Sequence, residues 1–330
     1  MFKKVFVENK LKDTPKVNHI LSKVKYNDVL FIEDYESVFE KVKKPYLQKR
    51  DNLNLFLASK KGELVKEAPE AYGLGKEKHF YFVHAYNCIY ECEYCYLQGY
   101  FNSPDIVWFL NHEEVINEIS NIAIKYPGSW FHAGEYSDSL SLSHITGEIP
   151  LYHEYFKNNP GVSLELRTKS ANIRELKKIT PINNLYITFS LSPQNIAKEI
   201  DLKAAPIKAR LRAINELALL GFAIGIHFDP VIIQENWQEE YQELVKQISS
   251  SISLSDVSFF SIGVVRFTKD VYRSFKVNYP QSSIKTGSFI TSFDDKVRYP
   301  RSIRMNAMRF IKELCVNYGA DEDSIYLCME

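Results

Sequence analysis

The sequence predicts an α/β fold built on a partial parallel barrel of the (β/α)6 type, with an N-terminal and a C-terminal extension. From residue 79 onwards, short strand-like apolar runs alternate with segments of helical periodicity. Strand, helix and strand in succession indicate parallel pairing through right-handed crossovers. Six such strands suggest an open or partial α/β barrel.

The individual elements follow from apolar periodicity. Six runs predict strands, at His79–Tyr86, Ser129–Ala133, Ser163–Thr168, Leu185–Leu191, Phe222–Phe228 and Val257–Val265. The helices expected between them lie near Glu113–Lys125, Leu151–Asn158, Ile173–Lys178, Pro206–Leu220 and Gln238–Ser249. The first helix carries an apolar stripe typical of a helix packed on a sheet, formed by Val115, Ile116, Ile119, Ile122 and Ala123.

Three parts are expected along the chain. Residues 1–76 form an N-terminal extension or small α/β region, with one short strand at Val29–Ile32. Its basic run, Lys41–Arg50, is typical of a solvated face, and contact with phosphate is the alternative. Residues 77–265 form the barrel. Residues 266–330 form a basic loop region followed by a final helix near Ser302–Tyr318.

The composition narrows the class of protein. The 330 residues contain 41 Lys and Arg against 41 Asp and Glu, so the formal net charge is zero. The chain therefore lacks the overall basic charge of many nucleic-acid-binding proteins, although a local basic patch remains compatible with it. No apolar run is long enough to span a membrane, and no secretory signal opens the sequence. A cytoplasmic location with reduced cysteines is expected.

The most informative motif is a group of three cysteines, Cys88, Cys92 and Cys95, within eight residues. A structural zinc site uses four ligands, whereas three thiolates leave one position open, as in a four-iron cluster with one free iron. Two alternatives are unreactive buried thiols and a zinc site that recruits a histidine or a distant cysteine. Disulfides are disfavoured because the chain has five cysteines, an odd number.

The other two cysteines suggest packing rather than chemistry. Cys315 shares a helical apolar face with Met308, Ile311 and Leu314, and Cys328 lies beside a chain end that is expected to fray. Neither is expected at a functional cavity.

Polar residues follow the predicted strands, where parallel α/β folds collect their functional groups. Because these strand ends meet at one rim, a cavity above the cysteine loop is expected. The residues in question are Glu135, Ser137, Asp138, Arg167, Lys169, Ser190, Ser192, Asp229 and Arg266.

The C-x3-C-x2-C spacing followed by an aromatic residue is similar to that of the radical S-adenosylmethionine (SAM) enzymes. Within this superfamily the ordered motifs between residues 79 and 299 resemble the spore photoproduct lyase family. These motifs are Tyr94-Cys95-Tyr96-Leu97-Gln98, Ser137-Asp138, His144-Ile145-Thr146, Arg167-Thr168-Lys169, Phe189-Ser190-Leu191, Trp237-Gln238-Glu239-Glu240-Tyr241, Arg266-Phe267-Thr268-Lys269 and Asn278-Tyr279-Pro280.

The resemblance implies two cofactors and a reducing partner. A 4Fe-4S cluster would be bound by Cys88, Cys92 and Cys95. SAM would chelate the free iron, and its methionine and ribose parts would be held by Ser137, Lys169 and Ser190. An electron from a flavodoxin- or ferredoxin-type donor would then cleave SAM to a 5′-deoxyadenosyl radical, which abstracts hydrogen from a thymine dimer in DNA.

The sequence departs from the family at one position. The family's hydrogen-donating cysteine sits two residues before the serine of the Ser-Asp pair, and Glu135 occupies that position here. A carboxylate acts as an acid, a base or a hydrogen-bond acceptor, but it is a poor donor of hydrogen atoms. The resemblance therefore leaves Tyr96, near the family's radical path, and Tyr136 as catalytic candidates beside Glu135.

Three functions remain open at this stage. The first is a DNA lyase, the second a radical SAM enzyme acting on another nucleotide or a peptide, and the third a non-catalytic metal or nucleic-acid binding protein. The Glu135 substitution favours the second. Residues expected to contact DNA, with a solvated surface as the alternative, are Arg266, Lys296, Arg298, Tyr299, Arg301 and Arg304.

Overall fold

The computed structural model describes residues 2–41, 52–69, 75 and 77–328. Apart from Lys41, the basic run at residues 41–50 lies outside the described residues, so its predicted role stays untested. In the described part of the chain, no helix is both long and apolar enough to cross a membrane.

The chain is a mixed α/β protein, as predicted. In chain order its strands are β1 Phe2–Glu8, β2 Tyr26–Ile32, β3 Leu55–Ala58, β4 Val65–Glu67, β5 His79–Phe82, β6 Ala85–Tyr86, β7 Glu91–Cys92, β8 Ile106–Phe109, β9 Trp130–Ala133, β10 Ser163–Thr168, β11 Leu185–Ser190, β12 Asp201–Leu202, β13 Ala223–Val231, β14 Val257–Val264, β15 Arg266–Thr268, β16 Ile290–Thr291, β17 Lys296–Arg298 and β18 Ile325–Leu327. The α-helices are α1 Pro15–Lys23, α2 Leu97–Tyr100, α3 His112–Lys125, α4 Ser143–Thr146, α5 Ile149–Asn158, α6 Gln194–Ile200, α7 Ile207–Leu219, α8 Trp237–Ser249, α9 Lys269–Asn278 and α10 Arg301–Asn317.

The main sheet has eight strands in the order β18-β14-β13-β11-β10-β9-β5-β4. All neighbouring pairs are parallel except β4 with β5, which is antiparallel. The six strands predicted from periodicity form its centre, so the predicted partial barrel is confirmed. The edge strands β18 and β4 were not predicted, because three residues are too short to show a period.

The predicted strand at 79–86 is divided into two. β5 joins the main sheet beside β9, whereas β6 turns away and pairs antiparallel with β8 in a second sheet. The bend at Val83 and His84 carries the chain from one sheet to the other, and the cysteine loop follows directly. The sheet change therefore sets where that loop begins.

The second sheet has the order β2-β1-β3-β8-β6 and packs with α1. Thr14 caps α1 by accepting a hydrogen bond from the Val17 amide at 3.4 Å. Because β6 and β8 come from residues after 77, this sheet is built from both sides of the predicted boundary at 76. The domain boundaries themselves stay a prediction.

Two local predictions were wrong. The helix expected at Ile173–Lys178 is only a 3₁₀ turn at Leu176–Lys178, since the Thr180-Pro181 pair follows too closely for a helix to extend. The region after residue 265 is not a plain basic loop. It contains α9 and an antiparallel sheet of order β15-β17-β16, while the final helix, α10, lies as predicted.

The apolar core lies between the main sheet and its outer helices, and the inner face of the curled sheet is polar. Phe131, Phe189 and Phe228 are fully buried in the outer core. Glu165, His132 and other polar side chains line the interior instead. Because successive side chains of a strand point to opposite faces, apolar residues pack in the outer core while polar residues face the barrel interior.

Candidate active site

The cysteine loop lies over the carboxyl ends of the barrel strands. Cys92 is buried, while Cys88 and Cys95 are half-buried. The Cys95 amide donates to the Cys92 carbonyl at 3.0 Å, which closes a tight turn between two of the thiols. Asn87 begins the loop at φ +62°, and its side-chain amide donates to the Ser103 and Asp105 carbonyls at 2.8 and 2.7 Å. The loop is therefore anchored before its first thiol.

All three thiols line one cavity of about 490 Å³. Over the described residues, no three His, Cys, Asp or Glu side chains converge closely enough to hold a single metal ion. The Tyr90 amide also donates to Cys88 Sγ at 3.4 Å, a contact that stabilises a thiolate ligand.

Burial raises the pKa of the Cys92 thiol well above its usual value, and Asp201 adds to the effect. A bare thiolate is therefore disfavoured at this position. A cationic metal centre would reverse that preference, because a coordinating thiol is deprotonated by the metal.

The same cavity is lined by the three residues predicted to hold SAM: Ser137, Lys169 and Ser190. Asp138 joins two of the strand ends that carry them. Its Oδ2 accepts from the Lys169 amide and its Oδ1 from the Thr168 hydroxyl, both at 2.7 Å. A side chain at Gly134 would place Cβ 2.6 Å from Ser139 Oγ, and the residue has φ +94°, so glycine is required there.

The predicted catalytic residues are in mutual contact. The Tyr96 hydroxyl donates to Glu135 Oε1 at 3.1 Å and accepts from the Tyr136 amide at 3.1 Å. Tyr136 adopts φ +61°, a conformation that costs a non-glycine residue about 1–2 kcal/mol. Desolvation and the Glu135 carboxylate raise the pKa of Tyr96 well above its usual value, so the phenol keeps its proton.

The barrel interior holds a polar network that the sequence did not reveal. The buried Glu165 carboxylate accepts from Thr188 Oγ1 and His227 Nε2, both at 2.7 Å, and contacts His132. Burial alone would raise the pKa of Glu165, but Arg167 and the two histidines outweigh it and hold it well below the usual range. In the sequence, the only indication of this network was the occurrence of charged or titratable residues at alternate positions of the predicted strands.

Cys328 lies elsewhere than expected. It follows β18, its amide donates to the Ile262 carbonyl at 2.8 Å, and it is buried rather than frayed. Its Sγ lies 3.9 Å from Arg266 Nη2, and Arg266 lines the cavity beside Asp229. The prediction of a frayed position was therefore wrong, because β18 went unrecognised, whereas Cys328 itself is not among the residues that line the cavity. Cys315 is fully buried in α10, as expected.

The residues predicted to contact DNA fall into two groups. Arg266 and Lys296 line the cavity, and Arg301 is exposed at the start of α10. Tyr299 is only 1% exposed and stacks on Phe289, which makes it a core residue and not a stacking platform. Arg298 and Arg304, the other two basic residues predicted to contact DNA, are also buried. The prediction was wrong for these buried residues.

Comparison with known proteins assigns the family. The family model described as "Spore photoproduct lyase" matches residues 73–296, which is more than half of the chain. The spore photoproduct lyase of Bacillus subtilis is 26% identical over 207 residues, which cover 61% of this chain and 60% of the relative. That of Clostridium acetobutylicum is 25% identical over 200 residues, covering 60% of this chain and 59% of the relative. The sequence match thus spans about three fifths of the length of these relatives.

Solved structures agree on the fold. A mutant spore photoproduct lyase with bound AdoMet and dinucleoside spore photoproduct superposes with a TM-score of 0.83 at 18% identity, covering 99% of this chain and 98% of that one. A spore photoproduct lyase complexed with dinucleoside spore photoproduct gives a TM-score of 0.84 at 17% identity, with the same coverage. The curled parallel half-barrel is therefore shared from end to end, and the chain belongs to the spore photoproduct lyase family.

Proposed function

We propose that this chain is a radical SAM enzyme of the spore photoproduct lyase type, which abstracts a hydrogen atom from a thymine-dimer lesion in DNA. One observation carries the proposal: the three thiols and the three predicted SAM residues line a single cavity of about 490 Å³. A cavity that gathers cofactor ligands from a loop and several strand ends is typical of an active site at the rim of a parallel barrel.

Each group has a defined task in this proposal. Cys88, Cys92 and Cys95 would hold a 4Fe-4S cluster, which would supply the electron for reductive cleavage of SAM. Lys169 would pair with the SAM carboxylate, and the hydroxyls of Ser137 and Ser190 would exchange hydrogen bonds with the polar groups of SAM.

The apolar part of the cavity wall excludes water from the reacting atoms. Leu97, Val264, Val265 and Phe267 line the cavity beside the polar groups. A dry wall limits side reactions of a radical and strengthens the electrostatic contacts to SAM. Reduced thiols and an oxygen-sensitive cluster are consistent with a cytoplasmic location and with a flavodoxin- or ferredoxin-type electron donor.

The relatives support the choice of ligands. Two structures with this fold are described as containing AdoMet or dinucleoside spore photoproduct, and the curated relatives are named spore photoproduct lyases. We carry these ligand classes over as the first candidates for cofactor and substrate.

Glu135 supports a second candidate, a radical SAM enzyme acting on a different nucleotide or on a peptide. In this chain Glu135 accepts a hydrogen bond from Tyr96 within the cavity wall. A carboxylate there suits a substrate that needs a base or a hydrogen-bond acceptor better than one that needs a hydrogen atom.

One experiment separates the candidates. The protein is purified and reconstituted anaerobically, then incubated with reductant, SAM and labelled spore-type thymine dimer. The first proposal predicts both thymine and 5′-deoxyadenosine. Cleavage of SAM without dimer repair would favour the second candidate, and failure to bind iron would leave only a binding protein.

A further inference from the structure

A fully buried ion pair lies beneath the cysteine loop. Both terminal nitrogens of Arg210, on α7, donate to Asp201 Oδ2 at 3.1 Å. The two side chains are each 1% exposed. Removing two charges from water is expensive, and an apolar pair of similar volume is often at least as stable. The pair therefore calls for an explanation beyond core packing.

Asp201 contacts the cysteine loop in two ways. Its backbone pairs antiparallel with Cys92 across β12 and β7, and Leu202 pairs with Glu91. Its Oδ1 also accepts a hydrogen bond from the hydroxyl of Tyr94, the residue just before Cys95. Two of the three thiols are thus positioned by one carboxylate residue.

Arg210 extends the same network to the proposed SAM side of the cavity. Its Nη1 donates to the carbonyl of Ser190 at 2.9 Å, and its Nε donates to the Ala205 carbonyl at 2.8 Å. Ser190 ends β11 and lines the cavity. Lys169 Nζ lies 5.6 Å from the ring centre of Tyr94, which links a second proposed SAM residue to the loop.

Asp201 and Arg210 are not among the residues that line the cavity, so they act on the site through Cys92, Tyr94 and Ser190.

We propose that Asp201 and Arg210 form a positioning pair that fixes the cysteine loop relative to the SAM-binding strand end, so that cluster retention and SAM binding depend on one another. This inference rests on the proposed function, because it assigns a role toward the same cluster and cofactor. A guanidinium in a rigid, planar geometry suits this task, since lysine cannot reproduce its several simultaneous contacts. Groups that orient metal ligands typically change metal affinity or activity 10- to 100-fold when altered.

The test uses the full chain, reconstituted anaerobically, and three variants of graded severity. Tyr94→Phe removes one hydrogen bond to Asp201, Arg210→Lys keeps the charge, and Asp201→Asn keeps the shape. Arg298→Lys serves as the matched control, because Arg298 is a buried arginine paired with Asp294 and is not among the residues that line the cavity. Melting of each apoprotein checks that the variant folds.

We expect iron to be lost to a chelator faster in the three variants than in the unmodified protein. We also expect SAM affinity to fall about 10-fold or more. The change that SAM produces in the electron paramagnetic resonance spectrum of the reduced cluster should shrink accordingly. Arg298→Lys should match the unmodified protein in all three measurements.

Two results would overturn the inference. In one, the folded variants keep the iron retention, SAM affinity and spectral response of the unmodified protein. In the other, Arg298→Lys loses them equally, which would indicate general destabilisation. If Asp201→Asn does not fold, Tyr94→Phe and Arg210→Lys still decide the question. An unmodified protein that binds no iron would instead contradict the proposed function itself.

Discussion

At the residue scale, the proposed binding of the cluster depends on the three thiols of the cysteine loop. Replacing Cys88, Cys92 or Cys95 by Ala should abolish the visible absorbance of the cluster and the cleavage of SAM. Cys315→Ala and Cys328→Ala are the controls, and both should retain iron, because neither thiol lines the cavity. Iron content is the measurement, and unchanged iron in all three loop variants would contradict the assignment.

Lys169 offers a second test at the same scale. Lys169→Ala should weaken SAM binding by about 1.5–3 kcal/mol, the range for a hydrogen bond to a charged group. Its backbone is held by Asp138 independently of the side chain, so the loop should keep its shape in the variant. Lys178→Ala, an exposed lysine in the next connection, is the control. Equal SAM affinity of both variants in equilibrium titration would refute the role.

The contact between Tyr96 and Glu135 bears on the source of the final hydrogen atom. If the chain splits spore-type dimers, Glu135→Cys should increase clean repair and reduce abortive products, whereas Tyr96→Phe should impair repair. Products are counted after single turnover with a labelled dimer. Cys328→Ala is the companion variant, because it removes the thiol beside Arg266 without touching this pair. Negligible repair by Glu135→Cys would favour another substrate.

At the element scale, the barrel strands were predicted to within a few residues because apolar residues recur at strand spacing between turn residues. β10 shows this best, since Leu164 and Leu166 alternate with polar residues and its bounds equal those predicted. β18 and α9 escaped detection for opposite reasons. β18 has only three residues, and α9 is so polar that its apolar face is marked mainly by two buried residues, Val271 and Phe275.

The site was partly predictable for a related reason. Polar residues directly after a strand could be assigned to the rim, which identified Ser137, Lys169 and Ser190. Asp201 and Arg210 could not be found in this way, because a single arginine in an amphipathic helix usually faces solvent. Their burial depends on β12 pairing with the cysteine loop and on Arg210 reaching the end of β11, and neither contact is encoded in local periodicity.

The start of α5 provides a prediction about pH. Glu148 is buried at this end, and burial raises its pKa to about 7 despite hydrogen bonds from Thr146 and its own amide. A carboxyl whose folded pKa is raised contributes full stability below its unfolded value near 4.5 and loses it as the pH rises through about 7. The loss should be roughly 3 kcal/mol between these limits.

Glu148→Gln should therefore be more stable than the unmodified protein at pH 8, and the advantage should vanish near pH 4.5. Denaturant unfolding across this range measures the free energy difference. Glu154→Gln changes an exposed carboxylate on the same helix and should leave the pH profile unaltered. Parallel profiles for Glu148→Gln and the unmodified protein would show that Glu148 does not titrate in this window.

At the scale of the whole molecule, the two sheets contribute different parts of the candidate site. The main sheet supplies the strand ends that carry Ser137, Lys169 and Ser190, while the sheet change after β5 delivers the cysteine loop above them. A polar barrel interior then lies directly below the cavity, held by Glu165. The site thus depends on the relative placement of elements that are far apart in sequence. Single sequence motifs do not contain that placement, and the substrate therefore could not be identified from them.

Because the net charge of the whole molecule is zero, the proposed attraction to DNA must come from a local basic patch. Of the residues predicted to contact DNA, the exposed Arg301 and the cavity-lining Arg266 and Lys296 are in position to meet phosphate, whereas Tyr299 is buried. Affinity for duplex DNA should fall steeply with salt, and Arg301→Ala should reduce the slope of log K against log salt by about 1. Tyr299→Phe should leave both affinity and slope unchanged, because its hydroxyl contacts only the backbone of Ile233. A salt slope equal to that of the unmodified protein in Arg301→Ala would remove this residue from the interface, and a loss of affinity in Tyr299→Phe would mean that the C-terminal region rearranges on binding.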